Sequence, residues 1–247
     1  MTTKPPAPLV LVPGFWLGAW AWDAVAAALR QAGHEVVAMT LPGLADAAED
    51  RSDIRLDDHI AAIERALRAA PEPVMLVLHS GAGVSGYAAT DRAPDCVAGV
   101  AYVDTGPGTG APMSAAFEGA DYPLPDWAAL EADGNSLDGL DEAALQMFRE
   151  RAVPEPGAVL RDGFALTDPR RLQIPSTVIC SSATVEQTRQ WVADGEPFVA
   201  ELASLTGPVV WVDLPTGHWP MWSRPDDLAA EVIAAAERTG AGRSVHR

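Results

Sequence analysis

The apolar positions of this chain fall into short continuous runs separated by longer stretches where they recur every three or four residues. The runs are Leu9–Val12, Glu35–Leu41, Val74–Leu78, Val97–Val103, Ser176–Cys180 and Pro208–Asp213. Their length and β-branched content suit strands, and the fully apolar ones suit strands covered on both faces. Between them Ala21–Ala32, Leu56–Ala69, Val185–Val192, Pro197–Leu205 and about Pro225–Arg238 read as helices, and a small-residue stretch of helical character follows Ser80. Ile60, Ile63 and Leu67 mark one face of the second helix, which Ser52 or Asp53 is expected to start. In the closing helix Leu228, Val232 and Ile233 are expected to face inward, and Gly240–Arg247 reads as a loose tail. Gly33, Pro42-Gly43, Pro71 and Pro73 punctuate the series. Strands alternating with helices predict an α/β fold with a mostly parallel central sheet flanked by helices.

One segment breaks the alternation. Residues 105–172 are rich in Gly, Pro and Asp, and their apolar clusters, Trp127–Leu130, Ala143–Phe148 and Phe164–Leu166, are short. Strand patterns resume beyond it. The expected organisation is therefore a core in two parts, 1–104 and 173–247, with 105–172 inserted as a helical lid that roofs a site and selects its substrate.

Length and charge narrow the classes. The chain has 247 residues, 48% of them hydrophobic, and no apolar run approaches the roughly 18 residues a membrane span needs. Seventeen basic against 34 acidic residues give a net charge of −17, which disfavours nucleic acid, anionic membranes and polyanionic substrates as partners. Met1–Pro8 carries one lysine and three prolines without an apolar segment behind a basic cluster, so a cytoplasmic location is expected. The two cysteines, Cys96 and Cys180, sit in apolar contexts and read as free thiols. No metal cluster, phosphate loop or dinucleotide fingerprint occurs; Gly81-Ala82-Gly83 lacks the second half of a Gly-x-Gly-x-x-Gly pattern. No cofactor is expected.

The candidate chemistry centres on His79-Ser80-Gly81-Ala82-Gly83, where an apolar strand turns abruptly into small residues. A serine at such a turn resembles the nucleophile elbow of α/β-hydrolases, although Leu78 and Ala82 stand where Gly-x-Ser-x-Gly has glycines. Pro13-Gly14-Phe15-Trp16 similarly resembles the His-Gly-x-x oxyanion loop of that superfamily with proline in place of histidine, and Leu41-Pro42-Gly43 resembles its turn after the second strand. The resemblance spans residues 9–238 and is strongest to short members such as plant methyl esterases, hydroxynitrile lyases and bacterial esterases.

A serine hydroxyl needs a base, and the base a carboxylate that holds its tautomer. Of five histidines, His34 lies in a turn, His59 on a helix, His246 in the tail, and His79 on the strand face opposite its neighbour Ser80; His218 alone follows the last strand. The resemblance implies His218 as base. For the acid it offers two strand ends: Asp104, placed as in haloalkane dehalogenases and fungal-toxin lactonases, and the loop Ser181–Glu186, whose single carboxylate is Glu186. Asp104 is the expected acid, Glu186 the alternative, and Asp213 is expected to be structural. The oxyanion donors implied are the N–H groups of Phe15 and Gly81. Trp16 and Trp219 are the expected substrate contacts, with Trp222 beside them and Trp127, Phe148 and Trp191 within reach, which suggests an apolar or aromatic ester or lactone. The expected activity is a serine hydrolase working through an acyl-enzyme. The competing readings are a lyase, cyclase or C–C hydrolase using the same residues, and an inactive binder of a small hydrophobic ligand.

Overall fold

The computed structural model describes residues 7–242. In chain order the elements are β1 (Leu9–Val12), α1 (Asp23–Gln31), β2 (Val36–Ala38), α2 (Leu56–Ala69), β3 (Val74–His79), α3 (Ala82–Arg92), β4 (Val97–Val103), β5 (Asp121–Tyr122), α4 (Trp127–Ala132), α5 (Glu142–Arg151), β6 (Glu155–Pro156), α6 (Gly157–Arg161), β7 (Ser176–Cys180), α7 (Val185–Asp194), α8 (Ala200–Ser204), β8 (Val209–Asp213), α9 (Pro220–Ser223) and α10 (Pro225–Gly242).

Six strands form one parallel sheet in the order β2-β1-β3-β4-β7-β8. The strands β1, β3, β4 and β7 pair on both sides and are buried along their whole length, which is why they carry mostly apolar residues without alternation, Ser176 and Thr177 of β7 being buried polar ones. Successive side chains feed opposite faces. Val10, Val12, Leu76, Leu78, Val100 and Tyr102 pack under α2 and α3, while Leu9, Leu11, Met75, Val77, Ala101 and Val103 pack under α1 and α10.

Several expectations shift at the edges. The second strand is three residues long rather than seven, because β2 is the sheet's edge and pairs only with β1, leaving Val37 exposed. The expected first helix begins with a 3-10 turn over Ala19–Trp22. Neither Ser52 nor Asp53 caps α2; Asp58 Oδ2 accepts the Arg55 N–H at 2.8 Å instead. The last helix continues to Gly242, so Gly240–Gly242 are helical rather than a loose tail, and the remainder of that tail, with His246, lies outside the described residues.

Residues 105–172 connect β4 to β7, which are neighbours in the sheet. Their only strands among the described residues are β5 and β6, two residues each, paired antiparallel as Asp121↔Pro156 and Tyr122↔Glu155. This ribbon and the turn at 136–138 bear on the two loops described next. No helix among the described residues is long and apolar enough to cross a membrane.

Candidate active site

Ser80 sits at the C-terminal end of β3, where its N–H donates to Val103 O at 3.3 Å and the chain turns into α3. Its φ of +51° is in the left-handed region, which side chains other than glycine rarely adopt. Three small residues make the turn possible. A Cβ on Gly14 would lie 2.7 Å from Ser80 Cβ, one on Gly81 would lie 2.6 Å from the Phe15 ring, and one on Gly83 would lie 2.3 Å from Gly106 O. The bulky Leu78 fits because a glycine faces it from α3: a Cβ on Gly86 would be 2.2 Å from Leu78 Cδ2.

The loop after β8 brings His218 to this turn. His218 Nε2 lies 2.8 Å from Ser80 Oγ, and Nδ1 lies 2.6 Å from Asp104 Oδ2. A carboxylate only accepts, so Nδ1 carries the proton and Nε2 is left with the lone pair that faces the serine hydroxyl. The imidazole and the carboxylate are both buried, and the Gly217 and His218 N–H groups donate to Asp138 O (2.9 Å) and Ser136 O (2.7 Å), which anchors the loop to residues 136–138.

Asp104 stands at the C-terminal end of β4, next to β3, with φ +48°. Besides the imidazole it accepts the Ser181 N–H (3.0 Å), the Ser182 N–H (2.9 Å) and the Ser182 hydroxyl (2.6 Å). Burial alone would raise this carboxyl, but the His218 hydrogen bond and charge, joined by the Ser182 donors, outweigh it and hold Asp104 well below the usual carboxylate range. Glu186 is exposed in the first turn of α7, among the residues that cap that helix, and Asp213 accepts the Val185 N–H at 2.7 Å. The structure thus brings Ser80, His218 and Asp104 together and leaves Glu186 and Asp213 outside.

Phe15 and Gly81 face each other across the turn, and among the described residues neither N–H has an acceptor. The neighbouring peptides are pinned. His79, adjacent to Ser80 but on the other face of β3, accepts the Gly14 N–H on Nδ1 (3.3 Å) and donates from Nε2 to His218 O (2.8 Å). Full burial, with His218 beside it, lowers His79 to about 3, so the ring is neutral and ties the Phe15 loop to the His218 loop. Trp16, with φ +67°, is the third non-glycine residue in the left-handed region. All three such residues among those described are therefore in or beside this cluster, as expected where strain is held by a functional site.

A cavity of about 650 Å³ opens beside His218 and Asp104. Its wall includes Val84, Met113, Ala183, Trp191, Phe198 and Leu202. Trp16 and Trp219, expected as substrate contacts, do not line this cavity. Both are buried in an aromatic cluster with Tyr122, Phe148 and Trp222, because the loops that carry them fold under the site and give their indoles to the core. Trp191 does reach the cavity, whereas Trp127 packs at a tilt against Phe148 beneath Arg149. Sequence reasoning missed His79, Thr105, whose hydroxyl donates to Ser80 O at 2.8 Å, and Ser182. Only the small-polar pair Ser181-Ser182 at a strand end hinted at the last. No group of side chains able to hold a metal ion occurs among the described residues.

Comparison with known proteins adds relatives to this geometry. A family model described as the alpha/beta hydrolase family matches residues 9–231. The chain is 28% identical over 246 residues to a carbendazim hydrolyzing esterase from Nocardioides sp. (strain SG-4G), covering 92% of this chain and 99% of that protein. It is 38% identical over 104 residues to Esterase PIR7B from Oryza sativa subsp. japonica, covering 38% of this chain and 37% of the relative. Among solved structures, an extracellular alpha/beta-hydrolase from a Paenibacillus species superimposes with a TM-score of 0.72 at 20% identity, covering 93% and 99% of the two chains.

Proposed function

This chain belongs to the alpha/beta hydrolase family, and from that premise we propose that it is a serine hydrolase that cleaves a carboxylic ester or lactone through Ser80, His218 and Asp104. The observation that carries the reading is the unbroken relay from Ser80 Oγ to His218 Nε2 (2.8 Å) and from His218 Nδ1 to Asp104 Oδ2 (2.6 Å). As Ser80 Oγ attacks the acyl carbon, its proton passes to His218 Nε2, and Asp104 stabilises the imidazolium. The carbonyl oxygen takes up negative charge and accepts from the Phe15 and Gly81 N–H groups. Collapse expels the alcohol with the proton from Nε2–H and leaves an acyl ester on Ser80. Water, deprotonated by His218, then attacks that ester, and the carboxylic acid departs as Ser80 regains its proton.

The curated relatives matched are esterases, which supports an ester as substrate. The apolar wall of the cavity supports a bulky apolar or aromatic group on it. Residues 105–172 act as the lid over the two core parts, 1–104 and 173–247; their contacts with the His218 loop support that role. A cytoplasmic location belongs to the same reading, supported by two unpaired cysteines.

Hydrolysis of p-nitrophenyl esters of increasing acyl length, with Ser80→Ala and fluorophosphonate labelling alongside, tests this. Turnover and labelling that both disappear in Ser80→Ala are expected. A Ser80→Ala protein that keeps its turnover would remove the mechanism.

A further inference from the structure

The chemistry above leaves one fully buried ionisable pair unused. Glu155, on β6, and His59, on α2, are each 1% exposed and lie behind the Phe15–Trp16 loop, around a void that Phe15 and Gly81 also line. Glu155 Oε2 accepts the Trp16 N–H at 3.3 Å, and Oε1 lies 3.6 Å from His59 Nδ1. His59 Nε2 is 2.9 Å from Pro42 O, an acceptor, so that nitrogen carries the proton and Nδ1 turns its lone pair towards the carboxyl. Arg51 is near but committed elsewhere, to the carbonyls of Gly43, Asp46 and Ala47 and to Asp121. Burial raises Glu155 to about 8 against the Trp16 hydrogen bond and the Arg51 charge, and burial lowers His59 to about 4, so the pair is neutral near pH 7.

A buried carboxyl is costly to keep, and its contacts indicate what it holds. Trp16 is fixed at three points, all from the segment between β4 and β7. Its indole N–H donates to Tyr122 O (2.9 Å), its carbonyl accepts from Val153 N–H (3.0 Å), and its own N–H donates to Glu155. That last bond fixes the Phe15–Trp16 peptide, and with it the left-handed Trp16. On the other side His79 fixes the Gly14 N–H. The Phe15 N–H lies between these two pinned groups, so its direction depends on both.

We infer that Glu155, backed by His59, is a positioning residue for the oxyanion hole, acting through the Trp16 N–H to aim the Phe15 N–H at the developing oxyanion. This rests on the hydrolase reading of Ser80. Neither residue touches the reacting atoms, so the effect is on kcat: the donor lost or misdirected is one that binds the transition state more strongly than the substrate.

The test compares the wild type with Glu155→Leu and Glu155→Gln for kcat and KM on p-nitrophenyl butyrate, for inhibition by a trifluoromethyl ketone, which forms a tetrahedral adduct on the serine, and for thermal midpoint. Glu155→Leu is expected to lower kcat by about 10–100-fold, below the loss of a whole oxyanion donor, with KM within about threefold and the ketone weakened in parallel with kcat. Glu155→Gln keeps an acceptor for Trp16 N–H and an NH₂ for His59 Nδ1, and is expected to stay within about threefold of wild type. If Glu155→Leu gives no folded protein, Glu155→Asp takes its place, since it draws the carboxyl back by one methylene and is expected to show the same kcat loss. An active wild type whose Leu or Asp variant keeps kcat, or whose Gln variant loses as much as Leu, would overturn the positioning role alone. A wild type inert towards esters and fluorophosphonate would overturn the hydrolase reading, and this inference with it.

Discussion

Leu78 and Gly86 exchange sizes across the β3–α3 contact. Leu78 is fully buried two residues before Ser80, and a Cβ on Gly86 would sit 2.2 Å from its Cδ2 and 2.9 Å from its Cγ. A strand-to-helix elbow needs the two backbones close, and one glycine in the contact satisfies that requirement from either side. Here the glycine is on the helix. Gly86→Ala is therefore expected to destabilise the protein by about 1–3 kcal/mol through overpacking, even though alanine is the better helix former. Adding Leu78→Ala relieves the clash, so the double variant should be less destabilised than the sum of the singles. Denaturant unfolding of the four proteins measures this coupling, and strict additivity would show that the two side chains do not compete for the same space.

The acid of the relay makes a second prediction. Asp104→Asn removes the charge that stabilises the imidazolium and can present an NH₂ to Nδ1, favouring the wrong tautomer. It is expected to lower kcat by about 10³–10⁴-fold. Glu186→Ala, changing an exposed residue in the first turn of α7, should leave kcat within about twofold. Steady-state kinetics on one ester separate the two, and equal losses would overturn the assignment of the acid to Asp104 alone.

How far the sequence reached is clearest at these positions. The central strands were legible because burial on both faces leaves an unbroken apolar run, and β3, β4 and β7 fall within one residue of their expected bounds. At the edge the same rule overreached, since Glu35–Leu41 has strand-like residues but only one neighbour to pair with. That Ser80, His218 and Asp104 lie together was legible from the resemblance and from their places after strands, whose C-terminal ends converge in a parallel sheet. The left-handed backbone at Asp104 and Trp16 was not, because it is imposed by partners far along the chain. His79 shows the same limit: its bonds to Gly14 and His218 span 65 and 139 residues, and no local pattern encodes them. The tryptophans misled for a related reason. Position beside a candidate catalytic loop does not tell whether an indole faces the cavity or the core, and Trp16 and Trp219 face the core.

The cavity wall gives a prediction about selectivity. Ala183 lies in the loop after β7, on the wall of the cavity of about 650 Å³ and one residue from Ser182. Ala183→Trp would fill part of that space without touching Ser80. For esters with a bulky aromatic group, kcat/KM should fall by about tenfold or more, while p-nitrophenyl acetate stays within about threefold, in keeping with the roughly 1–3 kcal/mol a pocket gains per methylene-sized fit. Comparing the two substrates on both proteins checks it. A uniform loss would indicate a disturbed Asp104 network rather than a narrowed pocket.

The buried pair behind the oxyanion loop should be visible in stability as well as in rate. Glu155 titrates at about 8 in the folded chain against 4.5 when exposed, so the folded state holds the extra proton between those values. The stability it confers is full below about 4.5 and is lost as pH rises towards about 8, at a limiting slope of about 1.4 kcal/mol per pH unit. His59 and His79 act in the opposite sense. Lowered from 6.5 to about 4 and about 3, they give stability that is present above 6.5 and lost as pH falls. Between 4.5 and 6.5 the Glu155 and His59 effects largely offset one another, but from 6.5 to 8 only Glu155 of these three still titrates. Glu155→Gln, which cannot ionise, should therefore gain on the wild type steadily across pH 6.5–8. Urea unfolding of both proteins at half-unit intervals measures the difference, and two curves that stay parallel through that window would mean that Glu155 is already ionised in the folded chain at neutral pH.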